Sequence, residues 1–289
     1  MRKIDFFIAG VQKSGTTTLY DLLSQDSRIF LPSIKENPFF TNPEIQTDFL
    51  ARLYADYTSE DLIGGAYANA ILFEDSAKEL VNNNNDIKII IILRNPIDRA
   101  YSAYNYSYRL GIEKCNSFEE ALENDMINNY TNYIDIANRT YLKHGHYYNQ
   151  IIAYTNHIPI EKVHCILFDD LIKDEIGVLK RLYKFLELDY KHNISPVKSN
   201  ISSVVRIKWI HKVIFDKNIL KSIYQKFMPA KFQYLINHKI VKRIERINKK
   251  STPYNPMNIE TRERLIKYYS NHNKNLEELL KIDLKSWNK

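Results

Sequence analysis

The sequence predicts an α/β fold of the P-loop type, in three layers, with a central parallel sheet and helices on both faces. Three observations carry this. Gly10 and Gly15 stand at the glycine spacing of a phosphate-binding loop, between an apolar run and a helical one. Residues 87–93, Ile-Lys-Ile-Ile-Ile-Ile-Leu, form a nearly continuous β-branched run of the kind a strand covered on both faces produces. Strand-like and helix-like segments then alternate along the chain, which implies parallel pairing through helical crossovers.

Taken in order, residues 6–9 read as a short buried strand and residues 17–23 as the helix that follows the loop. The asparagine run at 82–85 reads as a loop, and residues 86–93 as the central strand. Asn95 is an N-cap and Pro96 the first helical residue of a helix running through Asp98, Arg99, Tyr101 and Tyr104. Ser117-Phe118-Glu119-Glu120 is a capping box opening another helix. Residues 145–155 read as helix, 163–168 as a third buried strand, and 176–188 carry apolar residues at helical spacing. In such folds phosphate loops lie at the carboxyl ends of the strands.

The 289 residues, 44% of them hydrophobic, suffice for one domain spanning 1–289. Cys115 and Cys165 lie far apart without metal-type spacing, which argues against a disulfide framework and a zinc site and fits a reducing, cytoplasmic setting. The first strand follows Met1-Arg2-Lys3-Ile4 directly, its apolar stretch is too short for a signal segment, and no later run is long enough to span a bilayer. The net charge of +7 is uneven: residues 204–250 hold thirteen Lys or Arg against two acids, Asp216 and Glu245. That segment, with Trp209, Ile210, Val213 and Ile214 among its lysines, reads as a basic helical insertion within the domain. Its cationic face is either a solvated surface over a core-facing stripe, a platform for an anionic glycan, or a contact for the inner face of a membrane carrying a lipid-linked acceptor. No motif supports nucleic acid as the partner.

The chemistry starts from a displaced lysine. A nucleotide-binding loop places lysine after its second glycine, whereas here Thr16 occupies that position and Lys13 sits inside the loop. The glycine-shaped cradle and the helix start are kept, so backbone amides still face an anion. The central strand ends in Arg94-Asn95-Pro96 instead of a carboxylate for magnesium, which argues against an ordinary ATP or GTP site. Arg94, with Ser102 in the second turn of the following helix, supplies a guanidinium and a hydroxyl for a second phosphate.

Lys13-Ser14-Gly15-Thr16-Thr17-Thr18-Leu19 resembles the 5′-phosphosulfate loop of sulfotransferases, and the run from Leu93 through Arg94 and Arg99 to Ser102 resembles their 3′-phosphate motif. The likeness is closest to the heparan sulfate sulfotransferase branch and its bacterial relatives. It extends through Lys35-Glu36-Asn37-Pro38-Phe39-Phe40, Gly145-His146-Tyr147 and Phe185-Leu186 to a C-terminal helix pair ending near Trp287. The resemblance implies transfer of a sulfuryl group from 3′-phosphoadenosine 5′-phosphosulfate (PAPS), without a metal, to a hydroxyl or amine of an acceptor, a polysaccharide or glycolipid. It implies Lys13 at the leaving oxygen, Glu36 as general base, and Lys35 and Asn69 on the acceptor side. Ser14, Gly15, Thr16, Thr17, Thr18, Arg94, Ser102 and Lys250 complete the donor site. The chain departs from the pattern at Gly64-Gly65-Ala66-Tyr67, where relatives carry an acid or lysine ahead of the S-x-N motif, and at 249–253, where a glycine-rich loop is expected. The competing reading is an ATP-using or non-enzymatic P-loop protein that binds an anionic surface through its basic segment.

Overall fold

The alternation of side chains along a strand decides how this sheet is covered. In β1 (Phe6–Gly10), Phe6 and Ile8 join one apolar cluster while Phe7 and Ala9 join another. In β4 (Lys88–Leu93), Ile90 and Ile92 face the first cluster, and Ile89, Ile91 and Leu93 the second. Both strands are buried on both sides, which is why β4 reads as unbroken apolar sequence.

The computed structural model describes residues 3–36, 38, 40–41, 51, 53–190, 194–195, 204–205, 249–250 and 256–288. Around β1 and β4 lie β2 (Ile29–Phe30), β3 (Leu62–Ala66) and β5 (Val163–Leu167), in the order β2-β3-β1-β4-β5 with every pairing parallel. β1 is central, so its carboxyl end opens between those of β3 and β4. One face is covered by α1 (Thr16–Leu23) and by the later helices α7 (Phe168–Lys173) and α8 (Glu175–Phe185). The other is covered by α2 (Glu74–Asn83), α6 (Tyr147–Thr155) and the end of α9 (Ile259–Leu280). A third cluster packs α3 (Pro96–Arg109) against α4 (Phe118–Ile127) and the start of α9. A short helix, α5 (Tyr133–Arg139), follows α4.

Local signals account for most of these elements. Asn95 accepts the Ile97 N–H at 3.0 Å and Pro96 opens α3, as the dipeptide predicts. Ser117 accepts the Glu120 N–H at 3.1 Å, but the Glu120 carboxylate takes the Asn116 N–H at 2.9 Å, so the capping box closes one residue earlier than expected.

Three expectations are corrected. Of the asparagine run read as a loop, Asn82 and Asn83 complete α2, and Asn83 and Asn84 hydrogen-bond the backbone of Ile4, tying the chain before β1 to the helix end. The helix expected over 145–155 is a 3-10 turn, Lys143–Gly145, followed after His146 by α6. The C-terminal helix pair is one long helix, α9, and a 3-10 turn, Lys285–Asn288.

Gly64 and Gly65 in β3 have a packing cause. A Cβ on Gly64 would lie 2.3 Å from the Phe6 ring, and one on Gly65 2.8 Å from the Phe7 ring. The two bulky rings of β1 spread across β3, and only glycine leaves room for them. Of the basic segment, Val204–Val205 and Lys249–Lys250 form an antiparallel two-residue pair with Val204 opposite Lys250. The helical reading of the segment, including Trp209, Ile210, Val213 and Ile214, lies outside the described residues. Among those described, no helix is long and apolar enough to cross a membrane.

Candidate functional site

The loop between β1 and α1 is shaped by two left-handed residues. Gly15 has φ +86° and Lys13 φ +70°. For glycine this is free, and a Cβ at Gly15 would in addition lie 3.0 Å from the Phe168 ring. For lysine the conformation costs about 1–2 kcal/mol, a strain that surrounding structure must hold. The loop is tied down by Val11, whose N–H reaches Ile92 O at 3.0 Å, and by Ser14, whose N–H reaches Val11 O at 3.2 Å. Gly15 is the N-cap of α1 and no side chain caps it. The first-turn N–H groups, those of Thr16, Thr17 and Thr18, have no partner inside a helix and point out of its start, where the helix dipole is positive. This is an anion cradle.

Arg94 stands at the carboxyl end of β4 and closes one side of the cradle. Its Nη1 donates to the Lys13 carbonyl at 3.0 Å, and its guanidinium lies 5.0 Å from the centre of the Phe168 ring. Burial lowers its pKa from the ordinary arginine value while Asp98 opposes the shift, and a guanidinium stays charged under either influence. Tyr147 Oη donates to Arg94 O at 2.9 Å, and Asn95 Nδ2 donates to the carbonyl of buried Trp287 at 3.3 Å, so the C-terminal turn buttresses this strand end. Ser102 lies two turns into α3, half-buried. Tyr106, four residues on and therefore on the same helix face, has its ring centre 4.2 Å from Lys13 Nζ. Lys13 thus links the first loop to Arg94 through its carbonyl and to α3 through the Tyr106 ring.

Lys35 and Glu36 form the opposite side. Lys35 Nζ donates to Thr16 Oγ1 at 3.1 Å and contacts Glu36 Oε1, whose other oxygen accepts the Ala68 N–H at 3.1 Å. The Glu36 backbone bridges to Ala66 in parallel register. The dipeptide is thereby stitched between the first turn of α1 and the end of β3. Lys35 is mostly buried in this bridge, whereas the Glu36 side chain is 50% exposed, open to a molecule in the cleft.

Beside Glu36 lies Asn69, buried, its Nδ2 3.5 Å from the Tyr67 hydroxyl and its Oδ1 without a hydrogen-bond partner among the described residues. Tyr67 stacks with Tyr133 at 6.2 Å, and the Tyr133 hydroxyl meets Thr41 Oγ1 at 2.9 Å. Burial raises the Tyr67 phenol above its ordinary pKa, so it stays a neutral donor and acceptor at physiological pH.

Most residues singled out in the sequence converge here. Two stand apart. Ser14 is fully buried and its hydroxyl has no partner among the described residues, so this side chain faces the interior and not the opening. Lys250 is described only through its strand pairing with Val204. Sequence reasoning missed Phe168, whose ring touches both the loop glycine position and Arg94, because it starts α7 and reaches the loop only once β5 is known to neighbour β4. It also missed Tyr106, although the i,i+4 spacing from Ser102 was available.

A family model described as a sulfotransferase domain matches residues 3–277. Heparan sulfate glucosamine 3-O-sulfotransferase 5 of Mus musculus is 28% identical over 190 residues, 63% of this chain and 52% of the relative. The bifunctional heparan sulfate N-deacetylase/N-sulfotransferase of Drosophila melanogaster is 27% identical over 225 residues, 65% of this chain and 20% of the relative. The chain spans about half the length of the first of these and a fifth of the second. A sulfotransferase structure from Alicyclobacillus acidocaldarius superposes with a TM-score of 0.72 at 24% identity, covering 100% of both chains, which shows that the fold is shared.

Proposed function

The chain belongs to the sulfotransferase family, and on that premise we propose that it is a PAPS-dependent enzyme that sulfates a hydroxyl or amine of a glycan. The observation that carries this is the contact of Arg94 with the Lys13 carbonyl, which brings two cationic residues together, with a half-exposed carboxylate, Glu36, tied through Lys35 to the first turn of α1. A donor with phosphate on both sides of its ribose needs two such sites, and a departing phosphate needs a cation in place of a metal.

In this reading the amides of the Gly15–Thr17 turn and Lys13 hold the 5′-phosphosulfate, and Arg94 and Ser102 the 3′-phosphate. Glu36 takes the acceptor's proton as its oxygen or nitrogen attacks sulfur, the sulfur–oxygen bond to the phosphate breaks in line, and Lys13 neutralises the charge left on that oxygen. Asn69, next in sequence to the Ala68 whose N–H binds this carboxylate, is the residue assigned here to the acceptor side. The named action of the relatives on heparan sulfate supports a glycan acceptor, and a lipid-linked glycan is the form we propose beside a free one. The eleven-charge excess of residues 204–250 supports contact with an anionic polymer or the inner face of a membrane, by a cytoplasmic enzyme built as one domain.

Adenosine 3′,5′-bisphosphate, the product nucleotide, is expected to raise the melting temperature without magnesium. At a hundredfold excess over its dissociation constant the gain is about 2.7 kcal/mol. Stabilisation by magnesium-ATP alone refutes the donor assignment and favours the nucleotide-using alternative.

Ser102→Ala is expected to weaken the bisphosphate while adenosine 5′-phosphate, which lacks the 3′ group, binds as to wild type; Arg94→Ala is expected to lose roughly 1.5–3 kcal/mol for the bisphosphate and less for adenosine 5′-phosphate, through its tie to the Lys13 carbonyl alone. Isothermal titration of the two nucleotides decides it; wild type binding both equally well removes the 3′-phosphate site.

A further inference from the structure

Lys13 is a long, flexible side chain on a strained backbone, and something must hold its ammonium toward the cleft. The ring of Tyr106 lies 4.2 Å from Lys13 Nζ, and Arg109, at the last residue of α3, lies over the same ring at 5.3 Å. We infer that Tyr106 is a positioning residue for Lys13: its ring stations the ammonium at the phosphosulfate loop before the donor arrives. The inference rests on the donor assignment proposed above.

The argument is one of preorganisation. A lysine side chain carries about 2 kcal/mol of rotamer freedom, which an unsupported Lys13 would surrender on binding. A ring face attracts a cation electrostatically and does not take up an N–H donor as an acceptor oxygen would, so this contact restrains the ammonium without itself occupying one of its hydrogens. The helix supplies the direction. Tyr106 is one turn from Ser102 on the same face, so the ring draws the loop lysine toward the side of α3 where the second phosphate hydroxyl stands. The ring also serves two cations at once, which a purely space-filling residue has no need to do.

A double-mutant cycle with two nucleotides tests this without knowledge of the acceptor. Tyr106→Leu removes the ring's electrostatics and keeps apolar volume; Tyr106→Phe keeps the ring. Tyr106→Leu is expected to weaken adenosine 3′,5′-bisphosphate by roughly 3- to 30-fold, and Tyr106→Phe to leave it as in wild type. Adenosine 3′-phosphate, which lacks the 5′ group, should bind both variants within about twofold of wild type, and in a Lys13→Ala background the leucine substitution should add nothing. If Tyr106→Leu does not fold, Tyr106→Met carries the same expectation, since methionine fills irregular gaps. Equal weakening of both nucleotides, an undiminished loss without Lys13, or tighter bisphosphate binding, the last meaning that ring and donor compete for the cation, each overturns the inference. Wild type that binds neither nucleotide refutes the donor assignment itself, and the inference falls with it.

Discussion

Lys13→Ala lowers kcat by about a hundredfold or more at saturating donor, the loss expected when one preorganised charge is removed from the place where leaving-group charge develops. The backbone makes the substitution clean. Lys13 sits at φ +70°, and alanine carries the same Cβ and meets the same steric cost there, so the loop conformation is neither relieved nor further penalised. The Arg94 contact goes to the carbonyl of residue 13 and survives any change of side chain. What is lost is the ammonium, with its contact to the Tyr106 ring among its interactions. Single-turnover measurements with labelled donor separate the chemical step from release. Near-normal turnover would make the displaced lysine a loop-shaping residue only.

Glu36→Gln slows the chemical step by roughly 10²–10⁴ while bisphosphate affinity holds, because the amide keeps size and an acceptor oxygen but cannot take a proton. The surroundings bear on how the result is read. Glu36 spends one oxygen on the Ala68 N–H and the other on Lys35, which also holds Thr16. Glutamine can serve Ala68 or Lys35 with its single carbonyl, not both. A variant that loses bisphosphate binding would therefore show that Glu36 acts through the bridge to α1 instead of as a base. With retained binding and lost turnover, the base assignment stands. If the acceptor is an amine, the variant's defect shrinks as pH rises and neutral amine accumulates; a hydroxyl acceptor, uncharged throughout, gives no such recovery. The pH profile thus separates N- from O-sulfation.

The elements that were legible in the sequence are those whose cause lies within a few residues. Asn95-Pro96 starts α3 because the cap and the fixed proline φ act within one turn, and Ser117 starts α4 for the same reason. β4 was legible because burial on both faces demands apolar residues at every position but its start. The turn from β1 into α1 was legible because its geometry is a local product of Gly15 and a helix start. Where local reading failed, a distant partner intervened. The asparagine run became helix end and tether because Asn83 and Asn84 found the backbone of Ile4.

The sequence by itself determined the kinds of groups available: a lysine inside the loop, an arginine after the central strand, a carboxylate beside a lysine, and the parallel alternation that carries them. Only the tertiary structure decided which of them meet. Arg94 reaches Lys13 across 81 residues because β1 and β4 are neighbours in the sheet. Glu36 reaches Ala68 because β3 flanks β1 on the other side, and Trp287 supports Asn95 across 192 residues because α9 packs on α3 and α6. Strand order is set by which faces bury most apolar surface together, a sum over the whole chain that no window of sequence contains. The same sum placed the ring of Phe168 against Arg94 and that of Tyr106 against the loop lysine.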